Sequence, residues 1–178
     1  MNDLAQRRLH LVRHGEPIVN SRRPPADWAL APSAPAAVRR WAISHPLPQD
    51  AAWFTSPERK ALETAQLLHS APFTVVDDLR EAGRSWIDTG FDAAVARAFA
   101  CVDEPAREGW ESGRQVMDRV RAAVDTILAR TGGDVVLVGH GTAWTLLVSA
   151  WTKAPPDLAA WRALKMPGVW TLRMPEQR

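Results

Sequence analysis

Tyrosine is absent from this chain, and cysteine occurs once, at Cys101. A single cysteine excludes an intramolecular disulfide and favours a reducing compartment, so we expect a cytoplasmic protein. The first eight residues, MNDLAQRR, have no apolar core of the kind found in signal peptides. The longest mostly apolar stretch, TAWTLLVSAW at 142–151, is too short and too polar to cross a membrane.

Long basic runs are also missing, since no run exceeds two arginines. The 22 lysines and arginines nearly balance 20 acidic residues, which argues against a nucleic acid partner. There is no internal repeat, and 178 residues suit one domain, which we place at 1–178. The nine tryptophans, by contrast, are an unusual number. Most should pack in the core, and a few are candidates to line an apolar pocket.

Predicted strands and helices alternate along the chain. Strands are expected in RLHLV, AAWFTS, FTVV and DVVLVG, and helices at about 36–44, from Ser56 onward, at 90–101, at 111–130 and from Gly141. Ser56 is the expected N-cap of the second helix, with Pro57 at its first position. This alternation predicts an α/β three-layer sandwich, in which helices flank a mostly parallel central sheet.

The stretch RLHLVRHGEP places two functional side chains at the end of the first predicted strand. Arg13 and His14 follow an apolar run that Gly15 terminates. Ligands bind at the carboxyl ends of strands in open α/β sheets, so this is a candidate binding edge. His10 precedes His14 by four residues, but on a strand this spacing does not bring two zinc ligands together, and we expect no metal site.

Two further features point to the same edge. His140 ends the strand in DVVLVGHGT, and the helix predicted from Gly141 offers free backbone N–H groups that favour an anion. Arg59 lies in the first turn of a helix, where a cation is unfavourable unless an anion lies nearby. Together with Arg13 and His14, these residues predict a positive site suited to a phosphoryl group.

The motifs VRHGEPIVN, SPERKALETA, DDLREAG and LVGHGTA occur in this order between Leu9 and about Thr145. In this order they resemble the histidine phosphatase superfamily, also called phosphoglycerate mutase-like. GWESGRQVMDRV is similar to the Gly-Glu-Ser-bearing helix of that family. The resemblance implies a phosphoglycerate mutase-like fold with a short lid at about 84–109. This segment departs from the family's Gly-x-Trp-Glu-Gly pattern, which leaves the substrate open.

The resemblance also implies roles for individual residues. His14 would be the nucleophile that accepts the phosphoryl group, and Arg13, Arg59 and His140 would bind its oxygens. Asn20 falls on a position that commonly adds a phosphate contact.

Glu81 would be the acid that protonates the leaving oxygen. Because it lies in DDLREAGRSWID, the carboxylates of Asp77, Asp78 and Asp88 remain alternatives. The arginines at 22–23 are close enough in sequence to reach a second anionic group, although solvated loop charges are the simpler interpretation.

The sequence therefore predicts a phosphoric monoester hydrolase that acts through a phosphohistidine on His14, with no metal or cofactor. Its expected partners are a small phosphorylated metabolite and inorganic phosphate as product, with no nucleic acid and no membrane. Self-association stays open. The alternatives are a mutase, a protein phosphohistidine phosphatase, and a non-catalytic phosphate-binding regulatory module.

Overall fold

A five-stranded sheet forms the centre of the molecule in a computed structural model, which describes residues 7–174. The strands are β1 (Arg8–Arg13), β2 (Ala52–Thr55), β3 (Thr74–Val75), β4 (Val135–Gly139) and β5 (Gly168–Arg173). Their order is β3-β2-β4-β1-β5, with β5 antiparallel to β1 and every other pair parallel. The predicted α/β class with a mostly parallel sheet is confirmed.

Helices cover both faces of this sheet. They are α1 (Ala34–Ser44), α2 (Arg59–Leu68), α3 (Phe91–Ala100), α4 (Gly113–Arg130), α5 (Gly141–Thr152) and α6 (Leu158–Ala163). Between residues 7 and 174, none of the helices is both long and apolar enough to span a bilayer. Of the residues MNDLAQRR, in which no signal sequence is expected, only the last two are among the described residues.

Alternating side chains of β4 divide the core between the two helical layers. Val135 and Leu137 pack in the cluster that contains α4 and α5, while Val136 and Val138 pack with α1 and α2. All five residues of β4 are buried, as expected for a central parallel strand with both faces covered. Parallel pairing with β4 aligns the carboxyl ends of β1, β2 and β4 along one edge.

The start of α2 differs from the prediction. Helix α2 begins at Arg59, and Glu58 before it has an extended backbone, so the prediction of Ser56 as N-cap is wrong. The Ser56 hydroxyl instead accepts a hydrogen bond from the Glu58 backbone N–H at 3.2 Å and lies 2.7 Å from His140 Nε2. The antiparallel β5 and the short α6 were not predicted.

Candidate active site

A cavity of about 580 Å³ lies at the edge where the parallel strands end. Its volume is in the usual range for ligand pockets. Two groups of residues dominate its lining. The ionic cluster consists of Arg13, His14, Glu58, Lys60 and Glu81. The apolar wall consists of Trp28, Trp86, Ile87, Phe91, Trp161 and Met166.

His14 is held in one tautomer by the backbone. The residue is buried, and its Nδ1 lies 2.6 Å from the carbonyl oxygen of Gly15. Because a carbonyl only accepts, Nδ1 must carry the proton, which leaves a lone pair on Nε2 when the ring is neutral. Burial, together with His140 and Lys60 nearby, holds the pKa of His14 well below its ordinary value of 6.5. The ring is therefore neutral at pH 7, as a nucleophile must be.

His140 packs edge-on against His14, with 5.2 Å between the ring centroids. It is completely buried, and its Nε2 lies 2.7 Å from the Ser56 hydroxyl oxygen. Burial and the positive charges of Lys60 and Arg119 hold the pKa of His140 well below its usual value. The two histidines thus come together as predicted, although His14 alone lines the cavity.

Arg13 crosses the beginning of α5. Its Nη1 donates a hydrogen bond to the Leu164 carbonyl oxygen at 2.5 Å. A Cβ on Gly141 would lie only 3.2 Å from Arg13 Nε, so the missing side chain leaves room for the guanidinium group. Arg13 Nε is buried without a hydrogen-bond partner among the described residues.

The Glu81 carboxylate binds the backbone N–H groups at the start of α5. Oε1 accepts hydrogen bonds from Ala143 at 2.9 Å and Ala82 at 3.0 Å, and Oε2 accepts one from Thr142 at 3.2 Å. The N–H groups that we expected to favour a bound anion are therefore engaged by a side chain of this chain. This contact places the Glu81 carboxylate at the first turn of α5, directly after His140 in the chain.

Two of the three alternative acids lie outside the cavity. Asp77 and Asp78 are exposed, and both carboxylates lie 3.1 Å from Arg80 Nη1. Asp88 lines the cavity but accepts a hydrogen bond from Trp86 Nε1 at 2.9 Å. Glu81 and Asp88 therefore both line the cavity, and of the two Glu81 contacts the start of α5.

Arg119, which the sequence analysis did not single out, braces the segment that carries Glu81. Its guanidinium donates two hydrogen bonds of 2.7 Å to Glu111 and three of 2.9 Å to the carbonyl oxygens of residues 78, 80 and 81. Glu111 also accepts a hydrogen bond from the Gly83 N–H at 2.9 Å. The segment 78–83 is therefore fixed to Arg119 of α4 and to Glu111, which precedes this helix.

Arg59 and Lys60 point in different directions, and the structure does not bring Arg59 to the cavity. Arg59 is exposed, pairs with Glu63 at 2.7 Å and lines a separate surface depression. Lys60 is buried in the ionic cluster, where its Nζ donates to the Pro25 carbonyl oxygen at 2.8 Å and to the Glu58 carboxylate. The site is consequently less positive than predicted, because Glu58 neutralises Lys60.

A sequence signal for Lys60 existed in the pattern of α2. The buried face of this helix includes Ala61 and Ala65, whereas the larger Leu62 is only half-buried. Thr64 lies one turn after Lys60 and accepts a hydrogen bond from the Gly15 N–H at 3.0 Å. If the alanines are taken as the buried stripe of α2, the helical pattern predicts that Lys60 faces the site.

The predicted contact from Asn20 is also not present in the cavity lining. Asn20 is exposed, and its Oδ1 accepts a hydrogen bond from the Arg22 N–H at 2.9 Å. Arg23 lines the depression that contains Arg59. Arg84, by contrast, lines the cavity and has a buried Nη1 with no partner among the described residues. No motif distinguished Arg84 in the sequence.

Within 7–174, no three histidine, cysteine, aspartate or glutamate side chains are grouped so as to hold a metal ion.

No curated protein sequence matches this chain at a significant level. Solved structures do. Bacillus stearothermophilus YhfR is 26% identical with a TM-score of 0.66, covering 86% of this chain and 84% of its own. The mycobacterial glucosyl-3-phosphoglycerate phosphatase is 25% identical with a TM-score of 0.74, covering 93% and 89%.

The phosphoglycerate mutase of Bacillus anthracis shares the fold, with a TM-score of 0.70, 19% identity, and coverage of 93% of this chain and 86% of its own. The sequence profile of the histidine phosphatase superfamily (branch 1) matches residues 9–178. This match agrees with the resemblance seen in the motifs and with the pairing of His14 and His140 at the sheet edge. The chain belongs to the histidine phosphatase superfamily.

Proposed function

We propose that this protein hydrolyses a small phosphomonoester through a phosphohistidine on His14, without a metal ion. The observation that carries the proposal is the state of His14. Its Nδ1 proton is committed to the Gly15 carbonyl at 2.6 Å, and burial lowers the pKa of the ring, so Nε2 is an available nucleophile. A module that only bound phosphate would have no need for such a group beside a carboxyl.

Positive side chains would stabilise the transferring group. A phosphoryl transition state is loose and spreads charge over its equatorial oxygens, so positioned donors do most of the work. Arg13 and Arg84 both line the cavity, and each has a buried nitrogen with no hydrogen-bond partner among the described residues. Lys60 supplies a third cation, which the phosphoryl group would share with Glu58. We assign no phosphate contact to Arg59 or Asn20.

In the proposed reaction, His14 and Glu81 act in two steps. Nε2 of His14 attacks phosphorus while the bond to the leaving oxygen breaks, and the protonated Glu81 carboxyl gives its proton to that oxygen. In the second step the Glu81 carboxylate removes a proton from water, which attacks the phosphohistidine. Inorganic phosphate leaves, and His14 and Glu81 return to their starting states. His140, packed edge-on at 5.2 Å, keeps the His14 ring in place.

Two observations favour hydrolysis over transfer to a second hydroxyl. The segment 84–109 holds one helix, α3, which is a small cover for an intermediate that must be kept from water. The mycobacterial phosphatase of similar structure is 25% identical over 93% of this chain.

The test is a quench experiment with a labelled phosphomonoester and an excess of an acceptor alcohol. We expect free phosphate as the main product, no change in rate with a chelator, and a trapped phosphoenzyme that is labile in acid and stable in base. Label that appears mostly on the acceptor would identify a mutase. A base-labile acyl phosphate, or activity that requires a divalent ion, would overturn the mechanism.

A further inference from the structure

We propose that the cavity selects phosphomonoesters whose leaving alcohol is apolar and large enough to hold an aromatic ring. This inference rests on the proposed function and adds a substrate class to it. It starts from the size of the cavity, about 580 Å³, of which a phosphoryl group would fill only a small part. The remaining space is bordered mainly by the apolar wall rather than by hydrogen-bonding side chains.

Trp28 and Trp86 form a fixed aromatic corner in this wall. Their ring centroids are 5.0 Å apart and the ring planes meet at 66°. The indole N–H of Trp28 already donates to the carbonyl oxygens of Asn20 and Arg23, at 3.0 and 3.2 Å. That of Trp86 donates to Asp88 at 2.9 Å. With their polar atoms occupied, these two rings offer a substrate only apolar and π surface.

A second aromatic pair contributes to the same wall. The centroids of Phe91 and Trp161 are 6.1 Å apart, and the Arg84 guanidinium lies 4.3 Å above the Phe91 ring. Arg84 and Trp161 thus bring this pair next to the charged groups that would bind the phosphoryl oxygens. An ester bound at His14 would meet aromatic surface directly beyond its phosphate.

Several charged lining residues are already engaged by other groups of the protein. Lys60 is bonded to Glu58 and Pro25, Arg80 to Asp77, and Glu81 to the start of α5. A sugar or glycerol hydroxyl placed against Trp28 and Trp86 would lose water without gaining a partner, which costs free energy. An apolar group gains there instead, by roughly fourfold in affinity for each buried methylene.

The experiment compares primary alkyl phosphates with similar leaving groups, so that intrinsic reactivity does not decide the result. The substrates are ethyl, hexyl, 2-phenylethyl and glycerol 1-phosphate. We expect kcat/KM for the 2-phenylethyl ester to exceed that for the ethyl and glycerol esters by at least about tenfold. Trp86→Ala should lower the ratio between the 2-phenylethyl and ethyl esters by at least about fivefold. Trp41→Ala, which removes a half-buried ring outside the cavity that stacks on His45, should leave that ratio unchanged.

Competitive inhibition by 2-phenylethylphosphonate and ethylphosphonate measures the same preference without turnover. Tighter binding of the 2-phenylethyl compound supports the inference even if no ester is hydrolysed, in which case only the proposed function fails. Equal kcat/KM across the series, or a preference for glycerol 1-phosphate, overturns the inference and leaves the phosphatase intact. A ratio that Trp41→Ala lowers as much as Trp86→Ala also overturns it.

Discussion

The ionic cluster and the apolar wall share one cavity but come from different kinds of structure. Members of the cluster follow the ends of β1 and β2 or contact the start of α5, so the sheet itself places them. The wall comes from the connection after β1, from the segment 84–109 and from the region after α5. Connections vary in sequence more readily than core strands do. The ionic cluster is therefore suited to the chemistry, and the apolar wall is suited to the choice of substrate.

The two regions also differ in what holds their side chains. His14, Arg13 and Glu81 each form a hydrogen bond with a backbone atom, namely the Gly15 carbonyl at 2.6 Å, the Leu164 carbonyl at 2.5 Å and the Ala143 N–H at 2.9 Å. Trp28 and Trp86 are held by each other's rings and by hydrogen bonds to loop atoms. Substitutions in the ionic cluster should therefore change the rate for every substrate, whereas those in the wall should change the ranking of substrates.

The largest effect is expected from His14→Ala. Loss of the nucleophile should lower kcat by at least about a thousandfold, because no other group can form the covalent intermediate. Phosphate release from labelled ester measures it. His45→Ala is the matched control, since that exposed ring stacks on Trp41 away from the cavity, and it should keep normal activity. Comparable loss in both variants would show that the effect is not specific to the site.

Lys60→Gln should lower kcat/KM by about a hundredfold, since it removes a cation from the ionic cluster. Arg59→Gln, next to it in sequence but exposed, should change kcat/KM by less than about threefold. If Arg59→Gln has the larger effect, the assignment of Lys60 fails.

Lys60→Gln also leaves Glu58 buried without its partner, which should cost about 3 kcal/mol of unfolding free energy. Adding Glu58→Gln should restore part of that stability without restoring the rate. Recovery of both together would mean that Lys60 acts only through folding.

Arg119→Gln should lower kcat by about tenfold, because the backbone that carries Glu81 loses its brace. The informative measurement is a double-mutant cycle. In a Glu81→Gln background, Arg119→Gln should lower kcat by less than about twofold, since Arg119 acts by positioning Glu81. Arg114→Gln, on the same helix but exposed and paired with Asp103, is the control and should leave kcat unchanged. Full additivity with Glu81→Gln would contradict a positioning role.

The smallest effect concerns the pH dependence of stability. Burial lowers the pKa of His14 in the folded protein, so the unfolded chain takes up the proton first as pH falls through the ordinary value of 6.5. The free energy of unfolding should decrease between pH 7.5 and 6.0, by about 0.8 kcal/mol from this residue alone. Urea unfolding of His14→Gln should show a decrease in unfolding free energy between pH 7.5 and 6.0 that is smaller than the wild-type decrease by this amount. An identical loss in wild type and variant would show that His14 keeps its ordinary pKa when folded.

Local patterns were sufficient for most of the elements. The apolar run from Val135 to Val138 predicts a strand covered on both faces, and the stripe on α4 predicts a long amphipathic helix, because burial alone accounts for both patterns. The beginning of α2 was misplaced because the Ser56 hydroxyl bonds His140, which is 84 residues away in sequence. Sequence patterns near Ser56 carry no information about that contact.

By itself, the sequence determined the four strands β1 to β4, the family and the pairing of His14 with His140. Each of these features is written in a short local motif, either an apolar run or an apolar run that ends on a histidine. Only the tertiary structure decided which cation enters the site. Arg59 and Lys60 differ by one position and about 100° of helix rotation, and the packing of Ala61 and Ala65 turns Lys60 inward. The braces from Arg119 and the α5 N–H groups to the Glu81 segment also required the fold. These contacts join residues far apart in sequence, so their geometry exists only once the core has packed.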